Sequence, residues 1–245
     1  MKISWDLVVI FLILGVLIPW RGSVRIRKLM ARPEIRSAER LVIYASTVAF
    51  QWLLAAIVAV LAFWHRISVN DLGLVIQSPV KTALVALGFS FALGLLQYAG
   101  IRQTAKLPAD APSRLRDISA RLMPRSLIEA LAFSALAITA ALCEEFLYRG
   151  FVFGLLYVAS GSWLVALLGS SLLFSLAHYY QGVRGLITTF VLGLIFAGTR
   201  MWVGNLIPAM AAHLVVDLLA GYVAPHYLTS KINQSPETLV EAPRA

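Results

Sequence analysis

Seven stretches of this chain are apolar on every side for close to the length of a membrane crossing, and that excludes most ways of folding. They run over Ile3 to Trp20, Leu41 to Trp64, Val80 to Gly100, Pro124 to Ala159, Trp163 to His178, Gly185 to Trp202, and from Asn205 to just before Pro225. A helix needs roughly 20 residues to cross about 30 Å of hydrocarbon. Barrel strands would alternate apolar and polar, which these runs do not. Only 13% of the residues are charged, against about 25% in soluble domains. The expected fold is all-α, a polytopic integral membrane helical bundle with seven to eight transmembrane helices. No internal repeat points to the inverted halves of a secondary transporter.

The net charge of +9 is concentrated in two places. Arg21, Arg25, Arg27, Lys28, Arg32, Arg36 and Arg40 fall in one loop, and Arg102, Lys106, Arg114, Arg116, Arg121 and Arg125 in another. The loop between them, from His65 to Pro79, has only Arg66. Two crossings separate the basic loops, so both belong on the cytoplasmic side of a cell membrane, plasma or bacterial inner. This pattern favours bilayer contact and gives no support to nucleic acid as a partner. The first segment reads as a retained helix with its N-terminus outside, because its positive charge follows the apolar core.

One membrane domain over 1–245 is expected. Residues 1–126 form scaffold helices without buried charge and basic cytoplasmic loops, 127–224 the catalytic helices, and 226–245 a disordered tail. The stretch 113–122 suits an interfacial helix with Leu115, Ile118 and Leu122 on one side. Gly150 and Gly154 have the spacing of a close helix contact, and the long fourth run, longer than one crossing requires, is expected to be tilted, kinked at Gly150 or divided there. Asn205 is placed to cap the last helix. The single cysteine, Cys143, excludes an internal disulfide and fits a small, inert buried side chain.

Ionisable groups inside such runs are costly and mark functional sites by default. Those that read as able to do chemistry are Glu144 and Glu145, with Arg149, in the fourth run, His178 at the end of the fifth, and His213 with Asp217 in the last. On a helix, positions four apart lie about 40° from each other and adjacent ones about 100°. Glu145 can therefore pair with Arg149, and His213 shares a face with Asp217, while Glu144 points elsewhere. An acid without a salt-bridge partner can accept a proton from water and return it to a leaving amine. One imidazole beside it could orient the water, and a second could hold the oxyanion of a scissile carbonyl. Glu144, His178 and His213 from three helices would make such a pocket. Taken singly, His178 fits an interfacial residue, His213 a packing hydrogen bond, Phe174 a packing aromatic, and Glu145 with Arg149 a structural pair.

Three motifs now stand in order. Glu144-Glu145-Phe146-Leu147-Tyr148-Arg149 resembles the EExxxR motif of the CPBP family of CAAX-protease and bacteriocin-processing intramembrane endopeptidases, which includes Rce1-like prenyl-protein proteases. Phe174 to His178 is similar to its FxxxH motif, and His213 to Asp217 to its HxxxN/D motif. The resemblance implies a glutamic-type peptidase in which Glu144 and His178 activate water while His213 and Asp217 stabilise the oxyanion. Glu145, Arg149 and Phe174 take supporting roles. Many members have Asn at the last position; an ionised Asp cannot donate a hydrogen bond there. Asp217 is therefore either protonated or orients His213.

No cofactor is expected. A zinc site on Glu144, His178 and His213 is the metal alternative, but no HExxH is present, nor the GxSG or GxGD signatures of other intramembrane proteases. The expected partner is a membrane-associated peptide or protein substrate. A proton-coupled transporter and an inactive membrane scaffold or immunity protein are the rival functions.

Overall fold

The computed structural model describes residues 4–32, 34–108 and 113–228. Among them are eight helices: α1 Trp5–Met30, α2 Ser37–Trp64, α3 Pro79–Lys106, α4 Arg114–Leu122, α5 Leu127–Ser160, α6 Trp163–Ala177, α7 Tyr179–Val203 and α8 Ile207–Leu228. Six are long and apolar enough to cross a membrane; α6 is apolar but has only 15 residues. With no strand among the described residues, the chain is an all-α polytopic membrane bundle.

Large apolar side chains cover the outside, as they must where lipid is the solvent. Trp5, Trp64, Trp163 and Trp202 are all more than half exposed. Each lies at the end of α1, α2, α6 or α7 that faces away from the basic loops, which makes one interfacial aromatic belt.

Inside, α3 packs along α8, α2 along the first half of α5, and α6 along α7. The largest apolar cluster joins Leu7, Ile10 and Leu14 of α1 to Leu54 and Val58 of α2, and to Leu147, Phe151 and Val152 of α5. It seals one flank of the site. At the opposite end Arg40 donates bidentately to Glu129, Nε to Oε2 and Nη2 to Oε1, both at 2.9 Å. Both side chains are buried. The expectation of scaffold helices without buried charge fails here: Arg40, expected in a loop, lies in α2, which begins at Ser37 and carries it inward.

Boundaries differ elsewhere for physical reasons. α1 continues through the first four basic residues to Met30. α4 begins after Ser113, whose side chain accepts from Arg116 N, and packs Ile118 and Leu122 on Leu29 and Ile35; Leu115 stays exposed. α5 does not divide at Gly150; instead its winding widens to π-helix over Glu145–Val152. The glycine spacing serves a loop, not a helix. A Cβ on Gly150 would meet Leu72 O at 3.0 Å, and one on Gly154 would meet Asp71 O at 3.1 Å. The Asp71 to Leu74 turn thus dips onto α5, held by Leu206 N donating to Gly73 O.

The last helix starts one residue later than the expected cap, with Leu206 at that position. Asn205 still accepts from Ile207 N and donates to Thr82. Pro225 does not end it, since helix continues from Ala224 to Leu228 after a π-helical stretch. The expected tail therefore loses its first three residues to α8; the remainder, 229–245, lies outside the described residues.

Candidate active site

Glu144 ends the first α-helical part of α5 and Glu145 is the first residue of the π-helical stretch. π turns leave local hydrogen bonding irregular and recur at functional sites. The two carboxylates diverge completely. Glu145 is fully buried and its Oε1 accepts from Arg149 Nη1 at 2.9 Å and His213 Nδ1 at 2.8 Å. Glu144 retains 17% side-chain exposure, and its Oε2 lies 3.8 Å from Nε2 of His178, itself 16% exposed.

His178 occupies this depth because α6 is short. Fifteen residues rise only about 22 Å, so the helix starts at the tryptophan belt with Trp163 and stops beside Glu144. α7 opens with a 3-10 turn over Tyr179–Gln181, and Gly182 at φ 82° redirects the chain into its α-helical part. Nδ1 of His178 donates to Phe174 O at 2.9 Å. A carbonyl can only accept, so the lone pair of the neutral ring is on Nε2, facing Glu144.

His213 comes from the second turn of α8. Its Nδ1 is on Glu145, and its Nε2 is 3.6 Å from Asp217 Oδ2, whose side chain is 31% exposed. The imidazole thus sits between two carboxylates, one sealed and one open.

Aromatic faces enclose the sealed side. The Arg149 guanidinium carbon lies 3.9 Å over the Phe174 ring and 5.2 Å from that of Phe196. Phe196 also stacks on His213 at 5.5 Å. Arg149 has one carboxylate and two π faces, with Nε and Nη2 unpartnered among the described residues. Cation–π contact with two rings compensates part of that burial.

Gln51 was missed from the sequence. From α2 its Nε2 donates to Glu144 Oε1 at 2.7 Å, fixing one carboxylate oxygen and leaving Oε2 toward His178. A lone amide in the apolar run from Tyr44 to Trp64 was the available signal. The N-terminal half therefore contributes to the site directly.

All seven residues singled out in the sequence converge: Glu144 with His178, Glu145 with Arg149 and His213, His213 with Asp217, and Phe174 under both His178 and Arg149. A separate cavity of about 330 Å³, lined by Asp71, Tyr157, Trp163 and Arg200, shares none of them. Among the described residues no group of three His, Cys, Asp or Glu side chains has the arrangement to hold a metal.

Residues 126–219 match the family model of Rce1-like type II CAAX prenyl endopeptidases, from the N-cap of α5 into the π-helical stretch of α8. All three motifs lie inside the match. No curated protein and no solved structure matches the chain. Over this segment the chain is similar to Rce1-like type II CAAX prenyl endopeptidases.

Proposed function

We propose that the chain hydrolyses a peptide bond of a membrane-associated substrate with water activated by Glu144 and His178, without a metal. The observation that carries this reading is the unequal partnering of the two glutamates. Glu145 is fully buried and one of its oxygens takes both Arg149 and His213, whereas Glu144 keeps some side-chain exposure, takes a single amide donor on Oε1 and turns Oε2 toward a partly exposed imidazole.

Water between Glu144 Oε2 and His178 Nε2 would give a proton to the carboxylate as its oxygen attacks the carbonyl. The resulting Glu144 acid would then protonate the leaving amine. Gln51 holds the other carboxylate oxygen, so the geometry persists through both transfers. Carboxylates on opposite sides of His213 suit an imidazolium whose Nε2–H meets the developing oxyanion. In this scheme Asp217 orients and electrostatically supports His213 rather than donating itself. Glu145, Arg149 and Phe174 act as positioning residues. The bond cleaved lies near or within the membrane, close to the C-terminus or leader of a small or lipid-associated protein. The basic loops face the cytoplasm of a cell membrane, by their charge.

The test is cleavage of a reporter substrate by purified protein and by its Glu144→Gln variant. Loss of turnover with an unchanged unfolding midpoint supports the reading. Normal turnover in the variant overturns it, and abolition of wild-type turnover by a strong chelator overturns the metal-free mechanism.

A further inference from the structure

We propose that the cavity between the Asp71 turn and the belt ends of α5, α6 and α7 binds the phosphoethanolamine headgroup of a membrane lipid, its phosphate at Arg200 and its ammonium at Asp71. The cavity holds about 330 Å³, within the range of about 300–1,000 Å³ usual for small-molecule sites. Arg200 and Asp71 are the charged residues that line it. Arg200 Nη2 donates to the Asp71 carbonyl, and the guanidinium carbon lies 4.4 Å from the centre of the Phe153 ring, so the side chain is held in place. Its Nε is buried without a partner, and Nη1 makes no hydrogen bond among the described residues. No described carboxylate, that of Asp71 included, stands within ion-pair distance of it. A guanidinium fixed in this way is short of an anion, and its planar fork matches phosphate oxygens.

Depth points to a lipid as the source. Trp163, a member of the tryptophan belt, lines the cavity together with Tyr157 and Met201, and all three are exposed. Such belts lie at headgroup level, here in the leaflet opposite the basic loops, and acyl chains can leave past these side chains into hydrocarbon. Charge selects the headgroup. Asp71 Oδ2 accepts from Ser68 Oγ at 2.7 Å, while Oδ1 has no hydrogen-bond partner among the described residues. A cation and a carboxylate that share a cavity without touching suit a zwitterion that bridges them, whereas an anionic headgroup without an ammonium would meet Asp71 as a like charge. A primary ammonium can donate to Asp71 and to the amide oxygens of Asn70 or Gln77, which a quaternary ammonium without N–H cannot. Gly154 makes room for this arrangement, because a Cβ there would meet Asp71 O at 3.1 Å. The bound headgroup holds the turn against α5, which carries Glu144, and α6, which leads to His178.

The experiment measures lipid binding to the full-length protein in maltoside micelles by native mass spectrometry. The probes are short-chain phosphatidylethanolamine, phosphatidylcholine and phosphatidylglycerol, together with soluble glycerophosphoethanolamine. One phosphatidylethanolamine is expected to bind about tenfold more tightly than either other lipid, the size of one charge-assisted contact. Arg200→Gln should weaken that binding about tenfold, and Asp71→Asn should erase the preference for the primary ammonium. Arg66→Gln, exposed at the same end but outside the cavity, should change neither. If Arg200→Gln does not fold, Asp71→Asn decides, since that carboxylate is exposed and bonded to Ser68. Equal binding of the three lipids, a preference for phosphatidylglycerol, or a preference for phosphatidylethanolamine that survives Asp71→Asn overturns the site. So does an Arg200→Gln variant that binds lipid as before and loses only in unfolding midpoint, which would leave Arg200 as a clamp on the Asp71 turn. Glycerophosphoethanolamine bound as tightly as the lipid upholds the headgroup contacts and overturns the membrane as their source.

Discussion

His213 Nδ1 lies 2.8 Å from Glu145 Oε1, so the second glutamate of the pair, and not the first, holds the histidine of α8. That oxygen also receives Arg149. One sealed carboxylate thereby joins α5 to α8 and sets the tautomer of a site histidine.

Glu145→Gln should for that reason unfold more easily than the parent and lose activity as well. Removing one member of a buried pair costs about 3–5 kcal/mol. Thermal unfolding in detergent measures it, and a fully stable but inactive variant would show that Glu145 acts in the chemistry alone.

Gln51→Leu removes the donor to Glu144 Oε1 at nearly constant volume. A hydrogen bond to a charged group is worth about 1.5–3 kcal/mol, so kcat should fall about tenfold or more with little change in KM. An unchanged kcat would mean that Gln51 merely packs beside Glu144.

Asp217→Asn keeps the shape but removes the negative charge 3.6 Å from His213 Nε2. If Asp217 supports an imidazolium, kcat should drop about tenfold and the rate profile should narrow on its alkaline side, where His213 must retain its proton. Full activity across the profile would contradict this role and favour Asp217 as a protonated donor.

Arg40→Ala should destabilise the protein by about 3–5 kcal/mol, because Glu129 is left charged and buried. Arg40→Met combined with Glu129→Leu should recover most of the loss. A double variant as unstable as the single would mean that the charges themselves are required where α2 meets α5.

Gly221→Ala tests packing one helical turn beyond Asp217, on the face that meets Phe133. A Cβ there would meet Phe133 Cε1 at 2.0 Å, and Phe133 is itself set edge-on against Tyr44 and Tyr222. Overpacking of this kind costs about 1–3 kcal/mol, readable as a lower unfolding midpoint. An unchanged midpoint would require Phe133 to have room to move.

The amino-acid sequence by itself determined the class of fold and the ionisable residues that the structure brings together at the site, though not Gln51. Apolar runs of crossing length leave the backbone no solution but helices, and each ionisable residue inside them stands out because lipid makes it costly. Spacing of four also determined the Glu145 and Arg149 pair, since that relation is local to one helix. What lay between helices was decided only in three dimensions. The contact of Glu145 with His213 spans 68 residues, and that of Gln51 with Glu144 spans 93; no periodicity encodes either. Arg40 looked like one more loop arginine until its distance to Glu129 placed it inside. The glycines at 150 and 154 announced a close approach, but only the dipping turn at Asp71 and Leu72 showed what approaches. Local chemistry chooses helices and candidate residues, whereas the depth at which α6 stops and the face each helix turns inward are settled by packing.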